Sequence, residues 1–252
     1  MEEDNELTEA GKPVIAYWDT EWSPAVSYTW SGFPKYLSND FLIEDPRLLC
    51  FGFKFEGERT EVVDERIGHE AMVRQLWEKL DTADMLVSYN GQSFDTRKVN
   101  SEFMKYGMGP PSPYKEIDLY RQIKKHAQFY SGKLDFVAER LVNKRKYDTG
   151  GFQLWKDVLA GDEEAWGKMR KYQLDDVELL VDLFDKVRPW IKMPHPISDD
   201  PTTCHNCGGH SLQRRGFART LYGVYQRYQC TGCGKWLRGQ KRTAVTEVRP
   251  AL

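Results

Sequence analysis

Two carboxylates stand one residue apart in the stretch YWDTEW, where Asp19 and Glu21 follow the apolar run PVIAYW. Alternate residues of a β-strand point to the same face, so a strand here presents both acids at one place. Two like charges disfavour each other's ionisation unless they are solvated at a strand end or share a divalent cation. The pair alone favours the solvated strand end, because isolated D-x-E patterns are common.

Two further stretches add acids in positions that favour the metal site. Asp95 ends NGQSFD, which follows the apolar run MLVSY at the predicted start of a helix. Asp176 ends YQLDD, inside a long predicted helix over residues 163–187. Tyr172 and Asp176 lie one turn apart on the same face of that helix, on or beside its apolar stripe. The stripe consists of Leu179, Leu180, Leu183, Phe184 and Val187.

These acids have no matching cationic residue nearby in sequence, so divalent cations are expected to neutralise them. Ligation by oxygen alone favours Mg²⁺ or Mn²⁺ over zinc or copper. Two such ions can clamp the attacking and leaving oxygens of an in-line phosphoryl displacement. The hydroxyl of Tyr172 would then orient the attacking water. The residues therefore predict a two-metal site for phosphodiester chemistry.

The elements that position these residues follow from apolar periodicity. The stretches RLLCFGFKFEG and ERTEVVD predict a hairpin around the turn EGE, and MLVSY predicts a buried strand. Helical spacing predicts helices in five stretches. These are residues 68–80, 93–107, 117–127, 133–142 and 163–187. Strands come first, then strands alternating with helices, then helices, which predicts an α/β fold with a mixed sheet.

Composition sets the class of protein. Hydrophobic residues make up 40% of the chain and charged residues 29%, as is usual for a globular protein. The first ten residues are acidic and polar, unlike a signal or transit peptide, and no run approaches the roughly 18 apolar residues of a membrane span. We therefore expect a soluble, intracellular protein with no membrane partner.

Charge divides the chain into unlike parts. Residues 201–252 contain nine Lys and Arg but one Asp or Glu, whereas the preceding residues contain 27 basic and 37 acidic side chains. Four prolines and no periodicity mark residues 189–201 as a linker. We therefore expect a flexible N-terminus over 1–12, a catalytic domain over 13–188, the linker, and a basic module over 202–252.

Four of the five cysteines lie in the basic segment as two C-x-x-C pairs separated by 22 residues. Two such pairs close a Cys₄ zinc site without an open coordination position. The alternative is disulfides or redox thiols, but the chain lacks secretory features. The predicted zinc ligands are Cys204, Cys207, Cys230 and Cys233. Cys50, in LLCFGF, is expected to be a small buried apolar residue.

Basic and aromatic residues alternate around the second cysteine pair, in RRGFART, LYGVYQRY and KWLRGQKR. This composition favours phosphate contacts combined with base stacking. A protein-docking role is the alternative, because some of these aromatic residues must form the small core. The candidate nucleic-acid-binding residues are Arg214, Arg215, Arg219, Arg227, Lys235 and Trp236.

The three acidic stretches resemble the motifs of the DEDD superfamily of 3′–5′ exonucleases, with DTE as the first motif, NGQSFD as the second and YQLDD as the third. Tyr172, four residues before the last acid, is similar to the tyrosine of the DEDDy branch, which includes the proofreading domains of family A and B DNA polymerases. The resemblance covers residues 13–187 and implies a ribonuclease-H-like fold. The most similar type is a stand-alone, polymerase-B-like exonuclease of a bacterium or phage. The cysteine segment resembles a zinc ribbon.

The resemblance also implies roles for individual residues. Asp19, Glu21, Asp95 and Asp176 would be the metal ligands, and Tyr172 would orient the water. Asn90 and Phe94 would line the site for the 3′-terminal nucleotide, although Phe94 is equally expected as core packing. The resemblance implies stepwise release of nucleoside 5′-monophosphates from a 3′ end.

The expected function is therefore a metal-dependent 3′–5′ exonuclease acting on DNA, with two Mg²⁺ or Mn²⁺ ions and one structural Zn²⁺. An RNA exonuclease or a structure-specific endonuclease would use the same site. From another class, an adaptor with an inactive nuclease domain remains an alternative. Nucleic acid is the expected partner, with a replication or recombination protein possible through the ribbon. The expected location is the cytoplasm of a bacterial cell or phage-infected host.

Overall fold

The computed structural model describes residues 12–194, 196–198 and 200–244. Residues 14–184 form one compact unit, and the described residues from 185 onward belong to a second, here called the C-terminal unit. The division falls four residues before the predicted linker. The predicted flexible N-terminus, apart from Lys12, lies outside the described residues.

A five-stranded mixed sheet forms the centre of the first unit. The strands of this unit are β1 (Ile15–Trp22), β2 (Val26–Ser27), β3 (Leu42–Glu44), β4 (Leu48–Phe55), β5 (Glu61–Asp64), β6 (Met85–Ser88) and β7 (Lys115–Asp118). The order in the sheet is β5-β4-β1-β6-β7, while β2 and β3 pair separately. β1 is antiparallel to β4 and parallel to β6, and β6 is parallel to β7. The predicted mixed sheet and the hairpin of β4 with β5 are confirmed.

Helices flank this sheet, as expected for an α/β fold. They are α1 (His69–Thr82), α2 (Asp95–Lys105), α3 (Leu119–His126), α4 (Leu134–Val142), α5 (Gln153–Leu159) and α6 (Glu163–Val187). All five residues of the predicted apolar stripe on α6 are buried. No helix in the described part of the chain is long and apolar enough to cross a membrane.

Both faces of β1 are buried, which explains its unbroken apolar run. Trp18 belongs to a core cluster that also contains buried residues of α1 and α2. On the other face, the ring of Tyr17 meets Phe184 of α6 edge-on at 5.7 Å between centroids. Alternation along β1 therefore points Asp19 and Glu21, like Tyr17, to the face that α6 covers.

Helix α6 lies very close to the sheet beside this site. Gly52 of β4 pairs with Asp19, and a Cβ atom at position 52 would lie 2.7 Å from Val177 Cγ2 and 3.1 Å from the Gln173 carbonyl oxygen. Glycine fits at this approach, whereas a larger residue must displace the Val177 side chain or the helix. The close packing brings the Asp176 face of α6 toward β1.

Several elements differ from the sequence-based expectation, among them the short strands β2, β3 and β7, which were not predicted. The helix predicted from Ile117 begins at Leu119, because Ile117 and Asp118 end strand β7 and the Asp118 side chain caps α3 by accepting from the Arg121 amide. Helix α5 was not predicted, since its seven residues are too short for a clear period.

The C-terminal unit contains an antiparallel sheet of three strands. They are β8 (Leu212–Thr220), β9 (Gly223–Cys230) and β10 (Trp236–Ala244), with β9 in the centre. One cysteine pair precedes β8, and the second lies at the turn between β9 and β10. The strand turn therefore supplies half of the cysteine cluster.

Candidate active site and cysteine cluster

Three of the four predicted carboxylates meet between β1 and α6. Ligand oxygens of Asp19, Glu21 and Asp176 all lie within 4.8 Å of one another. β1 supplies the first two through its alternation, and α6 supplies the third. Such a cluster is strongly unfavourable unless cations or protons neutralise it.

Asp176 is the most deeply placed of the three. The residue has no exposed surface, and its Oδ1 atom has no hydrogen-bond partner among the described residues. Its Oδ2 atom lies 2.5 Å from the Nζ atom of Lys146. A buried carboxylate oxygen without a partner, beside two more carboxylates, is a donor set that fits a hard divalent cation.

Lys146 is a site residue that the sequence did not reveal. It comes from the segment between α4 and α5, and its Nζ donates to Tyr172 Oη at 2.8 Å. Burial alone would lower the pKa of this ammonium, but Asp176 and Asp19 outweigh burial and raise the pKa above its usual value. No matching cationic residue lies near the acids in sequence, and the fold brings Lys146, 30 residues before Asp176, into contact with them. In the sequence, only the basic run KRK at residues 144–146, within an otherwise acidic domain, could have indicated a cation near the acids.

Burial and mutual repulsion favour the protonated forms of Asp19 and Glu21. Burial, reinforced by Asp95 and Asp176, raises the pKa of Asp19 well above its usual value. Burial also raises the pKa of Glu21 to about 8, with Lys146 opposing the rise and Asp176 adding to it. A cation entering the cluster therefore displaces protons.

Tyr172 is buried beside these acids. Burial first, then the charges of Glu21 and Asp176, raise the pKa of the phenol. The hydroxyl therefore keeps its proton at neutral pH. Hydrogen bonding from Tyr172 opposes the rise in the pKa of Glu21, so the phenol donates toward the carboxylates while it accepts from Lys146.

Asp95 does not join the three carboxylates. It opens α2 and accepts a hydrogen bond from the hydroxyl of Thr20, which lies on the other face of β1 from Asp19. Burial raises its pKa to about 6, while the Thr20 bond opposes that rise. Its assignment as a metal ligand stays a prediction, and Thr20 is a partner that the sequence motifs did not indicate.

A groove of about 460 Å³ adjoins the carboxylates. It is lined by Glu21 together with aromatic and basic side chains. Phe94 is 46% exposed in this groove, so it is not core packing, and the Nζ of Lys98 lies 3.9 Å from its ring centroid. Its aromatic and basic lining consists of Trp22, Phe94, Lys98, Phe152 and Trp155.

Asn90 occupies the turn that leads from β6 to α2. Its backbone is left-handed, with φ 65°, and its backbone N–H donates to Asp118 Oδ1 at 2.9 Å. Arg121 donates to the side chains of Gln92 and Ser93 in the same turn. The residue thus helps to shape the turn before Phe94 and Asp95, and its contact with a nucleotide stays a prediction.

The four cysteine sulfurs of the C-terminal unit converge within 4.8 Å of one another. The Sγ atoms of Cys204 and Cys233 are 3.8 Å apart, and those of Cys207 and Cys230 are 3.7 Å apart. Disulfide sulfurs lie about 2.05 Å apart, so these are free thiols. A tetrahedron with Zn–S distances of about 2.3 Å separates its sulfurs by about 3.8 Å, and the four thiols therefore fit a zinc ion.

Of the predicted nucleic-acid-binding residues of this unit, all but Lys235 are exposed. Five of them are exposed on the strands of the sheet, namely Arg214, Arg215, Arg219, Arg227 and Trp236. The Nζ of Lys235 instead donates to the carbonyl of Ile191 at 2.6 Å, and burial lowers its pKa. Lys235 therefore has an internal contact within the unit.

The fold and the carboxylate cluster together define an RNase H-like nuclease. The family model of the RNase_H superfamily matches residues 45–188, more than half of the chain, and the chain belongs to this superfamily. The matched range includes Asp95, Tyr172 and Asp176 and begins after Asp19 and Glu21.

Among solved structures, the chain is similar to the family B DNA polymerase from the hyperthermophilic archaeon Pyrobaculum calidifontis, with a TM-score of 0.54 and 18% sequence identity. The similarity covers 70% of this chain and 25% of the polymerase, so the chain spans about a quarter of the polymerase's length. At this identity the likeness establishes the fold alone. A comparison with curated proteins found no match.

Proposed function

We propose that the protein is a divalent-metal-dependent 3′–5′ exonuclease that hydrolyses DNA and releases nucleoside 5′-monophosphates. The observation on which this rests is the convergence of Asp19, Glu21 and Asp176 beside a protonated Tyr172. Motif order and the tyrosine's spacing support the direction of cleavage, since both resemble those of DEDDy exonucleases. Similarity to a DNA polymerase supports DNA as the substrate.

Asp19, Glu21 and Asp176 would hold Mg²⁺ or Mn²⁺, and Asp95 would complete the set by giving up its bond to Thr20. Bound divalent ions supply charge neutralisation and Lewis-acid activation for in-line displacement at phosphorus. The buried, partly unpartnered Asp176 supports this role, because a cation would satisfy its free oxygen.

Tyr172 and Lys146 would act on the attacking water and on the phosphate. The Tyr172 hydroxyl keeps its proton and is fixed by Lys146, so it can orient a water for attack. The Lys146 ammonium adds positive charge where the phosphate becomes more negative in the transition state. The groove at Phe94 and Trp155 would hold the terminal base by stacking.

Cys204, Cys207, Cys230 and Cys233 would hold one structural zinc ion in the C-terminal unit. A module with so small a core needs such a metal to fold. Its basic surface would then draw nucleic acid to an otherwise acidic chain. Docking of a replication or recombination protein on this unit remains a further proposal.

The test is a cleavage assay with purified protein, Mg²⁺ or Mn²⁺, and single- and double-stranded DNA and RNA labelled at either end. We expect mononucleotides from the 3′ end of DNA, and none from the Asp19→Asn variant, which loses one carboxylate of the cluster. Preferred cleavage of RNA or internal cuts would replace the proposed reaction with the RNA exonuclease or endonuclease alternative. Metal-dependent cleavage absent from every substrate would refute the nuclease proposal itself.

A further inference from the structure

The strand register of the C-terminal sheet separates its side chains into two faces. Residues paired across neighbouring strands point to the same face. Arg227 of β9 pairs with Arg238 of β10, and Tyr225 of β9 pairs with Arg242 of β10. Alternation along β10 adds Trp236 to this group, and it pairs with Gln229. These residues form what we call the arginine face: Tyr225, Arg227, Trp236, Arg238 and Arg242.

The opposite face has a different composition. Arg214 pairs with Tyr228, Phe217 with Gln226, and Arg219 with Val224, so these side chains point away from the arginine face. Two arginines of the sequence-based set, Arg214 and Arg219, are thus separated from Arg227 and Trp236. Two residues outside that set, Arg238 and Arg242, lie on the arginine face with Arg227 and Trp236.

Aromatic rings hold the guanidinium groups of the arginine face in place. The guanidinium of Arg227 lies 4.9 Å from the ring centroid of Trp236, and that of Arg238 lies 4.3 Å from the centroid of Tyr225. Arg242 Nε donates to Tyr225 Oη at 3.2 Å. Arg227 Nε likewise donates to the Arg215 carbonyl at 2.8 Å. Stacking and these Nε bonds fix the plane of each guanidinium and leave its terminal NH₂ groups for an anion.

In the part of the chain that the structure describes, no carboxylate neutralises this face. Residues 201–244 contain neither Asp nor Glu, and among the described residues no acid forms an ion pair with Arg227, Arg238 or Arg242. Arg227 and Arg238 stand directly opposite each other, an arrangement that destabilises a sheet when both residues are charged alike. An external anion that bridges the two would remove the repulsion.

We propose that the arginine face binds the sugar–phosphate backbone of single-stranded DNA without regard to sequence. Oriented guanidinium edges suit successive phosphates, and Trp236, which is 50% exposed, offers ring surface for an unstacked base. A run of acidic side chains matches the charge, but carboxylates carry no aromatic ring to stack on Trp236. The choice of DNA as the ligand rests on the proposed function. The assignment of residues to the arginine face rests only on the strand register of the C-terminal sheet.

The test compares two double variants of the full chain that lose the same charge. Arg227→Gln/Arg238→Gln alters the arginine face, and Arg214→Gln/Arg219→Gln alters the opposite face. Binding of a fluorescent oligothymidine is measured by anisotropy over a range of salt, without added Mg²⁺ or Mn²⁺, so that the result does not depend on cleavage. Melting temperatures by circular dichroism exclude variants that fail to fold.

We expect the arginine-face variant to bind about tenfold or more weakly, with a salt slope lower by about 1.4, because two phosphate contacts are lost. The opposite-face variant should change affinity less than about threefold. Equal losses in both variants would mean that net charge alone attracts DNA, and no loss in either would remove the face as a binding site. Polyglutamate that displaces the oligonucleotide as well as unlabelled DNA does would favour an acidic protein partner and overturn the proposal.

Discussion

Lys146 supplies an ammonium to a cluster whose other ionisable groups are carboxylates and a phenol. Its Nζ contacts both Asp176 and Tyr172, so it competes with a divalent cation for Asp176 and also fixes the tyrosine. These two effects act in opposite directions on metal affinity and on turnover. A single substitution can therefore separate them.

Lys146→Met should lower the Mn²⁺ concentration needed for half-maximal cleavage, because Asp176 loses its competing cation. The maximal rate should fall by about tenfold or more, since the ammonium no longer fixes Tyr172 or stabilises charge on the phosphate. A Mn²⁺ titration of the cleavage rate on a labelled oligonucleotide measures both quantities.

Lys144→Met is the matched control for this substitution. Lys144 lies two residues away and forms an exposed ion pair with Asp182. Its loss should leave both parameters close to those of the native protein. If Lys146→Met behaves as Lys144→Met does, the ammonium has no part in the reaction.

The packing of α6 on β4 determines how far Asp176 lies from β1. Gly52 pairs with Asp19 and meets Val177 and the Gln173 backbone of α6, so the strand and the helix meet one residue from the acids. Gly52→Ala must displace the Val177 side chain, or α6 with it. We expect a loss of about 1–3 kcal/mol in the free energy of unfolding, measured with urea, and a fall in cleavage rate larger than any change in substrate KM.

Gly167→Ala provides the comparison on the same helix. A Cβ atom at Gly167 meets nothing within 4 Å, so alanine there should stabilise the helix by up to about 1 kcal/mol and leave cleavage unchanged. Unaltered stability and rate in Gly52→Ala would show that the close contact does not position the site.

Sequence periodicity was sufficient for the parts of the site that lie on regular elements. Asp19 and Glu21 follow from strand alternation, and Asp176 follows from the apolar stripe of α6. Lys146 and the Thr20 partner of Asp95 do not, because each depends on how a loop or a turn packs in three dimensions. Strand β7 was missed because its four residues, KEID, are short and mostly polar, and pairing with β6 determines their conformation.

At the scale of the whole molecule, acidic and basic residues are divided between two units. The residues before 201 contain 37 acidic and 27 basic side chains, while the described residues 201–244 contain no acid. An acidic chain repels nucleic acid on average, and under the proposed function a basic unit would offset this by raising the local concentration of substrate. That contribution depends on whether the C-terminal unit is folded.

Folding of the C-terminal unit should depend on the cysteine cluster. Cys230→Ser removes one of four converging thiols, so we expect bound zinc to fall from about one per chain to nearly none and residues 204–244 to become sensitive to trypsin. Elemental analysis and timed proteolysis measure the two effects. Cys50→Ala is the control, because this buried cysteine lies in the core of the first unit. That variant should keep both its bound zinc and its resistance to trypsin. Full zinc content in Cys230→Ser would mean that the four thiols are not the metal ligands.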